Sequence, residues 1–463
     1  MIVKSISALT AGLMIAAAIP AFAVDGDLDP GFGNAGLALV GIADGIAGGI
    51  GVQSNGRVLI CGTRSTGGPS GRDFLVARFT ADGLLDDSFN FNGRVGIDFG
   101  GDDDCNGIAV QADGRIVVAG VTVPANGNHD FAIARLNDDG ALDTTFGAGT
   151  GKVTLAFDLG GNNEDYANAI ALQPDGKIVV AGFANNPGHG PDFAVARLLG
   201  DGTYDSTFNL TGRETVGFDL GPGNDDRAQS VAIDSAGRIV LGGDAQRTST
   251  PFSLDFAAAR LLPDGGLDAN FDADGRVTVA FDLGGGSGSN DDEVLGMTLQ
   301  ADGRIVLAGD ADISTTGTTD YDMAVARLLP NGALDAGFGS GGKTLVPFDL
   351  VPDGGDIATG VIGQANGKLV LAGYAADSAD GSAIEAAVAR LNTDGTPDPE
   401  FGEFGKEALD FGLTSPGVQL PISVALGPRR ILVCGDVLTN ISGDADIFVA
   451  GLENSLIFAN GFE

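Results

Sequence analysis

One pattern recurs seven times along the chain: a glycine, an aspartate three residues later and a phenylalanine three residues after that. Successive phenylalanines of the pattern are 57, 57, 62, 63, 67 and 63 residues apart, which is room for about four strands with their turns. The chain is therefore predicted to be one supersecondary unit copied seven times. The copies are Gly26/Asp29/Phe32, Gly83/Asp86/Phe89, Gly140/Asp143/Phe146, Gly202/Asp205/Phe208, Gly265/Asp268/Phe271, Gly332/Asp335/Phe338 and Gly395/Asp398/Phe401.

The second unit shows how one copy is built. Residues 105–111 form a short apolar run, Asp113-Gly114 follows, and residues 115–120 form a second run. Asp-Gly between two such runs favours a β-hairpin, because both turn residues tolerate positive φ. Residues 130–136 and 151–157 supply a third and a fourth strand. The unit is interpreted as an antiparallel four-stranded meander.

Seven small sheets of this kind cannot bury their faces alone, so they are predicted to stack around an axis as an all-β, seven-bladed β-propeller. A right-handed parallel β-helix is the rival fold, but its coils do not need a hairpin in every unit. The two ends of the chain support the propeller. Residues 36–40 form a fourth strand without the first three, and the last unit has the other three at 419–426, 430–435 and 446–452. The N- and C-terminal strands are therefore predicted to share one blade, which removes the free sheet edge, with the first strand of each unit innermost.

The N-terminus has the features of a signal peptide over residues 1–23. Lys4 is followed by an apolar stretch and by Ala21-Phe22-Ala23, the small-x-small pattern that a signal peptidase cleaves. The predicted domains are the signal peptide, a propeller over 24–452 and a short tail over 453–463. The expected location is secreted, periplasmic or at the cell surface, without membrane insertion after cleavage.

The mature chain is strongly acidic. It has 24 Lys and Arg (25 less Lys4) against 62 Asp and Glu, a formal charge of -38. Such a surface repels nucleic acid and anionic lipid, so a nucleic-acid-binding function is excluded. The expected partner is a protein or a glycan, and the chain is expected to be a monomer.

Along the mature span the sequence resembles the bacterial delta-60 repeat family. The resemblance rests on segments such as LQPDGKIVVAG (172–182) and DFAVARL (192–198), followed by Asp205 and Phe208. It implies a propeller in an exported or surface protein of bacteria, without an assigned activity. The last unit departs most from the pattern, because Gly451 stands where six units have arginine and Pro428-Arg429-Arg430 replaces the Asp-Gly turn.

Arginine recurs in the third strand of six units. It alternates in phase with apolar residues, so it is predicted to be at least half buried and to need an acceptor. The aspartate of the recurring pattern, such as Asp143 after Arg135, is the expected partner. A ring of anion-binding arginines is the functional alternative. The six are Arg78, Arg135, Arg197, Arg260, Arg327 and Arg390.

Aspartate recurs in five units just before the innermost strand. In a closed ring these carboxylates are predicted to gather near one mouth of the channel, where oxygen ligands suit calcium or magnesium. The alternative is that each accepts backbone N–H groups in its own turn. No segment has the spacing of a calcium-binding loop, so the expected cofactor is none, with weak calcium binding as the open case. The five candidate metal ligands are Asp103, Asp165, Asp226, Asp292 and Asp356.

The sequence offers little catalytic machinery. His129 and His189 are the only histidines, and each lies in a variable loop next to an aspartate. No nucleophile elbow, Cys-x-x-Cys pair or phosphate-binding glycine loop is present. Cys61 and Cys434 are interpreted as small buried residues, and Cys105 as a free thiol. The predicted function is an exported non-enzymatic binding module. The alternatives are a divalent-cation-dependent hydrolase or lactonase-like enzyme at the channel mouth, and a structural cell-surface component.

Overall fold

The structure is a computed structural model that describes most of the chain after residue 23. The predicted signal peptide (1–23) and residues 456–463 of the predicted tail lie outside the described residues. The described ranges are 24–67, 71–125, 127–157, 159–160, 164–221, 224–249, 252–283, 290–314, 320–352, 354–378, 382–413, 418–438 and 444–455.

Within these ranges the chain forms 28 strands in seven four-stranded antiparallel sheets, with one 3-10 turn at Gly147–Gly149. In chain order the strands are β1 (Leu37–Leu39), β2 (Gly45–Val52), β3 (Val58–Ser65), β4 (Arg72–Phe79), β5 (Arg94–Ile97), β6 (Asp102–Val110), β7 (Ile116–Val123), β8 (Asp130–Leu136), β9 (Lys152–Leu155), β10 (Asp165–Leu172), β11 (Ile178–Asn186), β12 (Gly190–Leu198), β13 (Arg213–Val216), β14 (Asp226–Ile233), β15 (Ile239–Ser249), β16 (Phe252–Leu261), β17 (Arg276–Val279), β18 (Asp292–Leu299), β19 (Ile305–Asp312), β20 (Tyr321–Leu328), β21 (Lys343–Val346), β22 (Asp356–Gly363), β23 (Leu369–Ala376), β24 (Ile384–Leu391), β25 (Lys406–Leu409), β26 (Gln419–Leu426), β27 (Arg430–Leu438) and β28 (Ala445–Glu453).

Six of the sheets follow the chain, in orders such as β2-β3-β4-β5, and the seventh has the order β1-β28-β27-β26. In that seventh sheet Leu37 lies opposite Ala450, and Leu39 lies opposite Phe448. The two ends of the chain therefore share one blade, as the sequence predicts. The seven-bladed propeller of four-stranded antiparallel blades is confirmed.

The first strand of each unit is innermost. Neighbouring first strands, such as β2 and β6 or β18 and β22, contact each other around the axis, and together they line a central channel. Each innermost strand carries a register shift against its neighbour, for example between Ala47 and Gly49. Such a bulge increases the local twist of a strand.

The hydrophobic core is divided into seven clusters, and each joins two neighbouring blades. The phenylalanine of the recurring pattern is fully buried in every unit. Burial of one such side chain stabilises the fold by about 1.5–3 kcal/mol. Each of these phenylalanines contacts the glycine of the recurring pattern in the next unit. At Gly202, φ is +88° and an added Cβ would lie 2.9 Å from the Phe146 ring, so the recurring glycine and phenylalanine are one inter-blade contact.

Candidate functional site

The antiparallel order of the strands gives the propeller two different faces. The turns that join first to second strands and third to fourth strands, such as residues 53–57 and 80–93, form what we call the hairpin face. The loops between second and third strands, and the connections from each fourth strand to the next blade, such as residues 98–101 and 217–221, form the loop face. The recurring aspartates are divided between these two faces.

On the hairpin face, the six third-strand arginines are buried and paired. Each Nε donates to the aspartate eight residues later, at 2.5–2.9 Å. The predicted Arg135 and Asp143 pair is therefore present, and it recurs. The six pairs are Arg78/Asp86, Arg135/Asp143, Arg197/Asp205, Arg260/Asp268, Arg327/Asp335 and Arg390/Asp398.

The same arginines also join each blade to the next one. The Arg197 guanidinium lies 4.8 Å from the centroid of the Phe208 ring and donates to the carbonyl of Pro263 at 2.6 Å. At the end of the array Arg390 contacts Asp25 at 2.8 Å, which links the sixth blade to the segment that precedes β1. These contacts occupy the guanidinium groups, so the arginines hold the ring together rather than forming an anion-binding ring.

A second basic residue, which the sequence analysis did not identify, also contacts each of these aspartates. Lys368 lies 2.7 Å from Asp398, and Arg57, Arg115, Lys177, Arg238 and Arg304 contact their own aspartates in the same way. The sequence pattern could have predicted this residue, because a lysine or arginine directly follows the turn glycine in six hairpins.

The closing blade has only one cation in this place among the described residues. Arg430 contacts Asp29 at 2.7 Å and lies over the Phe32 ring at 5.0 Å. A Cβ at Gly451 would lie 2.8 Å from the same ring, so no arginine fits there. Arg430 therefore pairs with Asp29 in place of the third-strand arginine that this unit lacks.

These contacts determine the protonation of the hairpin-face aspartates. Burial alone would raise the pKa of Asp205, but hydrogen bonds from Thr207 and the charges of Arg197 and Lys177 outweigh it and lower the pKa to about 2. The pKa of Asp143 is also lowered, by Thr145, Arg115 and Arg135 against the effect of burial. Both side chains are charged at neutral pH and are compensated within the protein.

The five candidate metal ligands lie towards the loop face, and each is 0–1% exposed. In each, one carboxylate oxygen accepts the backbone N–H of a phenylalanine in the connection that precedes it, at 2.5–2.7 Å. This is the turn-like arrangement that the sequence left as the alternative. None of the five is among the described residues that line the channel. Asp103, Asp165, Asp226, Asp292 and Asp356 are each buried at a separate junction between blades, and their gathering near one mouth of the channel stays a prediction.

The loop-face carboxyls have pKa shifts opposite to those of the hairpin face. Burial raises the pKa of Asp103, Asp226 and Asp356 to about 6, and that of Asp292 to about 7. Neighbouring carboxylates act in the same direction; Asp255 and Asp282 do so at Asp292. At these junctions the buried negative charge is not fully compensated by the protein.

Among the described residues, two junctions bring three aspartates together, with one carboxylate oxygen of each residue within 4.8 Å of the others. The groups are Asp73/Asp98/Asp103 and Asp322/Asp349/Asp356. The sequence analysis identified Asp103 and Asp356 but not their neighbours. These neighbours lie at the start of a third strand or in the connection after a fourth strand, so only the folded arrangement of blades brings the three residues together.

Second strands contribute further buried carboxyls that sequence reasoning missed. Asp436 accepts the backbone N–H of Ala47 in the next blade at 2.6 Å, and burial raises the pKa of Asp436 to about 7. Asp244 accepts the backbone N–H of Val294 in the same way, and burial raises its pKa as well. In sequence these aspartates stand inside short apolar strands, where only their polarity marks them.

The central channel is a cavity of about 770 Å³. Its described lining comes mostly from the innermost strands and consists of small, apolar or neutral polar side chains such as Asn106, Asn168 and Ser423. Of the described residues that line it, Tyr374 alone carries an ionisable side chain.

The histidines and cysteines do not form an acid/base or nucleophile arrangement in the described part of the chain. His129 stacks on Tyr166 with ring centroids 4.8 Å apart, and His189 lies 3.9 Å from Asp219, with both side chains more than half exposed. Cys61, Cys105 and Cys434 are free and buried. The interpretation of Cys61 and Cys434 as buried apolar residues agrees with this placement.

The connections of the loop face present a repeated apolar side chain. A leucine follows a Phe-Asp or Phe-Gly pair in five connections, and it is 37–45% exposed in each. Next to three of these leucines stands an exposed aspartate: Asp219, Asp282 and Asp349. The leucines are Leu159, Leu220, Leu283, Leu350 and Leu413.

Comparisons with known proteins agree with the propeller fold. A family described as "Domain of unknown function (DUF5122) beta-propeller" matches residues 53–89, 111–146, 173–208, 237–271, 300–338 and 364–401. Each segment runs from a first hairpin to the phenylalanine of the recurring pattern, so this propeller family matches six of the units. No curated protein matches the chain.

Solved structures with a similar fold have diverse roles. They include a catalytically inactive virginiamycin B lyase from Staphylococcus aureus with quinupristin (12% identity, TM-score 0.48, 89% of this chain and 98% of that one). They also include an ulvan lyase (12%, 0.43, 95% and 98%). A third is PorZ, a surface component of the type-IX secretion system of Porphyromonas gingivalis (13%, 0.41, 86% and 45%). Among the described residues, no helix has the length and apolarity needed to cross a membrane.

Proposed function

We propose that this chain is an exported, non-enzymatic binding module that contacts a protein partner through its loop face. The observation that carries the proposal is the repeated pair of an exposed leucine and an exposed aspartate in the connections of that face. Apolar side chains surrounded by charged ones are typical of protein interaction surfaces. A partner with basic and apolar side chains complements this surface.

The net charge of -37 supports the choice of a basic partner, because complementary charge accelerates association and excludes acidic competitors. The neutral lining of the described channel supports a binding role over catalysis, since acid–base chemistry needs ionisable groups that converge on one point. Export is part of the proposal and is supported by the signal-peptide pattern predicted over residues 1–23.

Affinity capture with matched variants tests the proposal. Wild-type protein, a loop-face variant (Leu220→Ser, Leu283→Ser, Leu350→Ser) and a hairpin-face variant (Phe91→Ser, Leu210→Ser) are immobilised and exposed to a native envelope extract. Phe91 and Leu210 are 95% and 88% exposed, so the second variant removes comparable apolar surface from the other face.

The expected result is one basic protein that wild type and the hairpin-face variant retain at low salt and the loop-face variant does not. Retention should fall at about 1 M salt, where charges are screened beyond about 3 Å. Equal retention by the two variants, or no retained protein, contradicts the proposal.

A further inference from the structure

The junction between the fifth and sixth blades contains a cluster of three aspartates. A carboxylate oxygen from each of Asp322, Asp349 and Asp356 lies within 4.8 Å of the others. Asp322 and Asp356 are 4% and 0% exposed, whereas Asp349 is exposed. The cluster is therefore buried on one side and open to solvent on the other.

Two of these side chains have oxygen atoms without a partner. Oδ1 of Asp356 is buried and accepts no hydrogen bond, although Oδ2 accepts the N–H groups of Phe348 and Asp349 at 2.5 and 3.1 Å. Nothing in the described chain donates a hydrogen bond to the carboxylate of Asp322 or forms an ion pair with it. Buried polar atoms are nearly always satisfied in folded proteins, so the buried Oδ1 of Asp356 points to a missing ligand.

The preceding junction differs in its charge balance, although Oδ1 of Asp255 and Oδ1 of Asp292 accept no hydrogen bond there either. There Asp255 and Asp282 occupy the positions of Asp322 and Asp349, and Arg247 contacts both, at 3.6 and 2.6 Å. Asp255 is paired with Ala245 and Asp322 with Ala311. Two residues after these alanines stand Arg247 in one blade and Ile313 in the other. The chain thus supplies a guanidinium to the Asp255/Asp282 junction and an apolar side chain to the Asp322/Asp349 junction.

Lysines do not account for the difference between the two junctions. The positive charge of Lys406 opposes the rise in the pKa of Asp322 and Asp356. Its ammonium donates to the carbonyl of Pro347 at 2.6 Å. At the Arg247 junction, Lys343 donates to the equivalent carbonyl of Ala280 at 2.9 Å. Since both junctions have such a lysine, Arg247 is the additional cation.

We propose that Asp322, Asp349 and Asp356 form a calcium site that takes the place of the missing guanidinium. Three carboxylates within 4.8 Å match oxygen ligands around one ion at the 2.3–2.6 Å typical of calcium. The cluster has no nitrogen or sulfur ligand, which disfavours zinc and copper. Solvent at the Asp349 side provides an entry path and water ligands. The Asp73 cluster already has Arg64 at 3.1 Å from Asp73. The proposal is therefore restricted to the Asp322/Asp349/Asp356 cluster.

Calorimetric titration of the chelator-treated full chain with calcium chloride tests the site. The test variant is Asp349→Asn, which changes an exposed ligand and should not prevent folding, and the control is Asp282→Asn at the Arg247 junction. The expected result is one calcium fewer for Asp349→Asn, or an affinity lower by roughly tenfold or more, and unchanged binding for Asp282→Asn. No calcium binding by wild type, or the same binding by Asp349→Asn, overturns the proposal.

A second variant supplies the missing cation from the chain itself. Ile313→Arg should remove the calcium-dependent rise in Tm at this site while the protein keeps its melting transition in chelator. If the rise in Tm is unchanged in Ile313→Arg, calcium stabilises the protein from another position and the assignment is wrong.

Discussion

The two faces of the propeller both bury repeated aspartates, but the pKa of the buried carboxyls is shifted in opposite directions. Asp205 on the hairpin face and Asp226 on the loop face are 2% and 0% exposed. The pKa of Asp205 falls to about 2, whereas the pKa of Asp226 rises to about 6 because burial dominates there. The difference lies in the local supply of cations, since Arg197 and Lys177 both contact Asp205.

This comparison separates aspartates that have cationic partners within the protein from aspartates that do not. Ion pairs neutralise the buried aspartates of the hairpin face, and the same arginines donate hydrogen bonds to the next blade. The loop face keeps carboxyls that are protonated, share a proton or accept an external cation. For this reason both of our binding proposals place the ligand on the loop face rather than on the hairpin face.

The largest expected effect is on the pH dependence of stability. Asp226, Asp292 and Asp436 have a folded pKa of about 6–7 against about 3.9 when unfolded. Between these pH values the folded state binds more protons than the unfolded state. The contribution of these groups to the free energy of unfolding is therefore complete below about pH 4 and is lost as the pH rises to about 7.

Each of these carboxyls contributes at most roughly 3–4 kcal/mol to that fall. Urea denaturation in chelator at several pH values between 5 and 8 measures it. The variant Asp226→Asn should flatten the dependence, and a stability that rises over this range would count against the loop-face description.

The next largest effect concerns the arginine that joins the array to its beginning. Arg390→Met leaves Asp25 without this ion pair and Asp398 with Lys368 alone, and breaking a buried pair costs about 3–5 kcal/mol. Urea denaturation measures the loss. The exposed Arg429→Met is the matched control, with a change within about 0.5 kcal/mol. Similar values for both variants would show that the inter-blade ion pair contributes little.

A smaller difference is expected within the hairpin face. Arg430 is the one cation that contacts Asp29 in the described part of the closing blade, whereas Lys368 shares Asp398 with Arg390. Arg430→Met should destabilise the protein by about 2 kcal/mol, and Lys368→Met by about 1 kcal/mol or less. The denaturation midpoints of the two variants decide the question, and the reverse order would argue against a single-cation closing blade.

The smallest effect is expected at Arg247, the cation that the chain supplies to the loop face. Arg247→Gln leaves Asp255 and Asp282 without their guanidinium, and the partly exposed position limits the loss to about 1 kcal/mol in chelator. Calcium should then restore part of the Tm, as at the Asp322 junction. A variant whose Tm does not respond to calcium would show that these carboxylates do not accept the ion.

The fold was predictable because every level of the sequence repeats it. The turn glycines, the alternating apolar residues and the split last unit all indicate the same closed ring, and the pairing of Leu37 with Ala450 confirms it. The pairing of Arg135 with Asp143 was predictable for the same reason, since both residues belong to one unit at a constant offset.

The candidate site was predictable only in part. Asp356 recurs at a constant position, so the sequence shows it, but Asp322 and Asp349 come from the preceding blade and meet it only across the junction. The predicted ring at the channel mouth rests on the assumption that equivalent residues converge on the axis, and it stays a prediction. What the spacing did not show is that each carboxylate accepts a backbone N–H of its own connection, because this preference depends on local geometry.

The most direct test of the contrast between the faces is a carbon-13 NMR titration of the aspartate side-chain carboxyls in chelator. Asp226, Asp292 and Asp436 should titrate at about pH 6–7, and Asp205 at about pH 2. Titration of all four near pH 4, or of Asp205 above Asp226, would contradict the account.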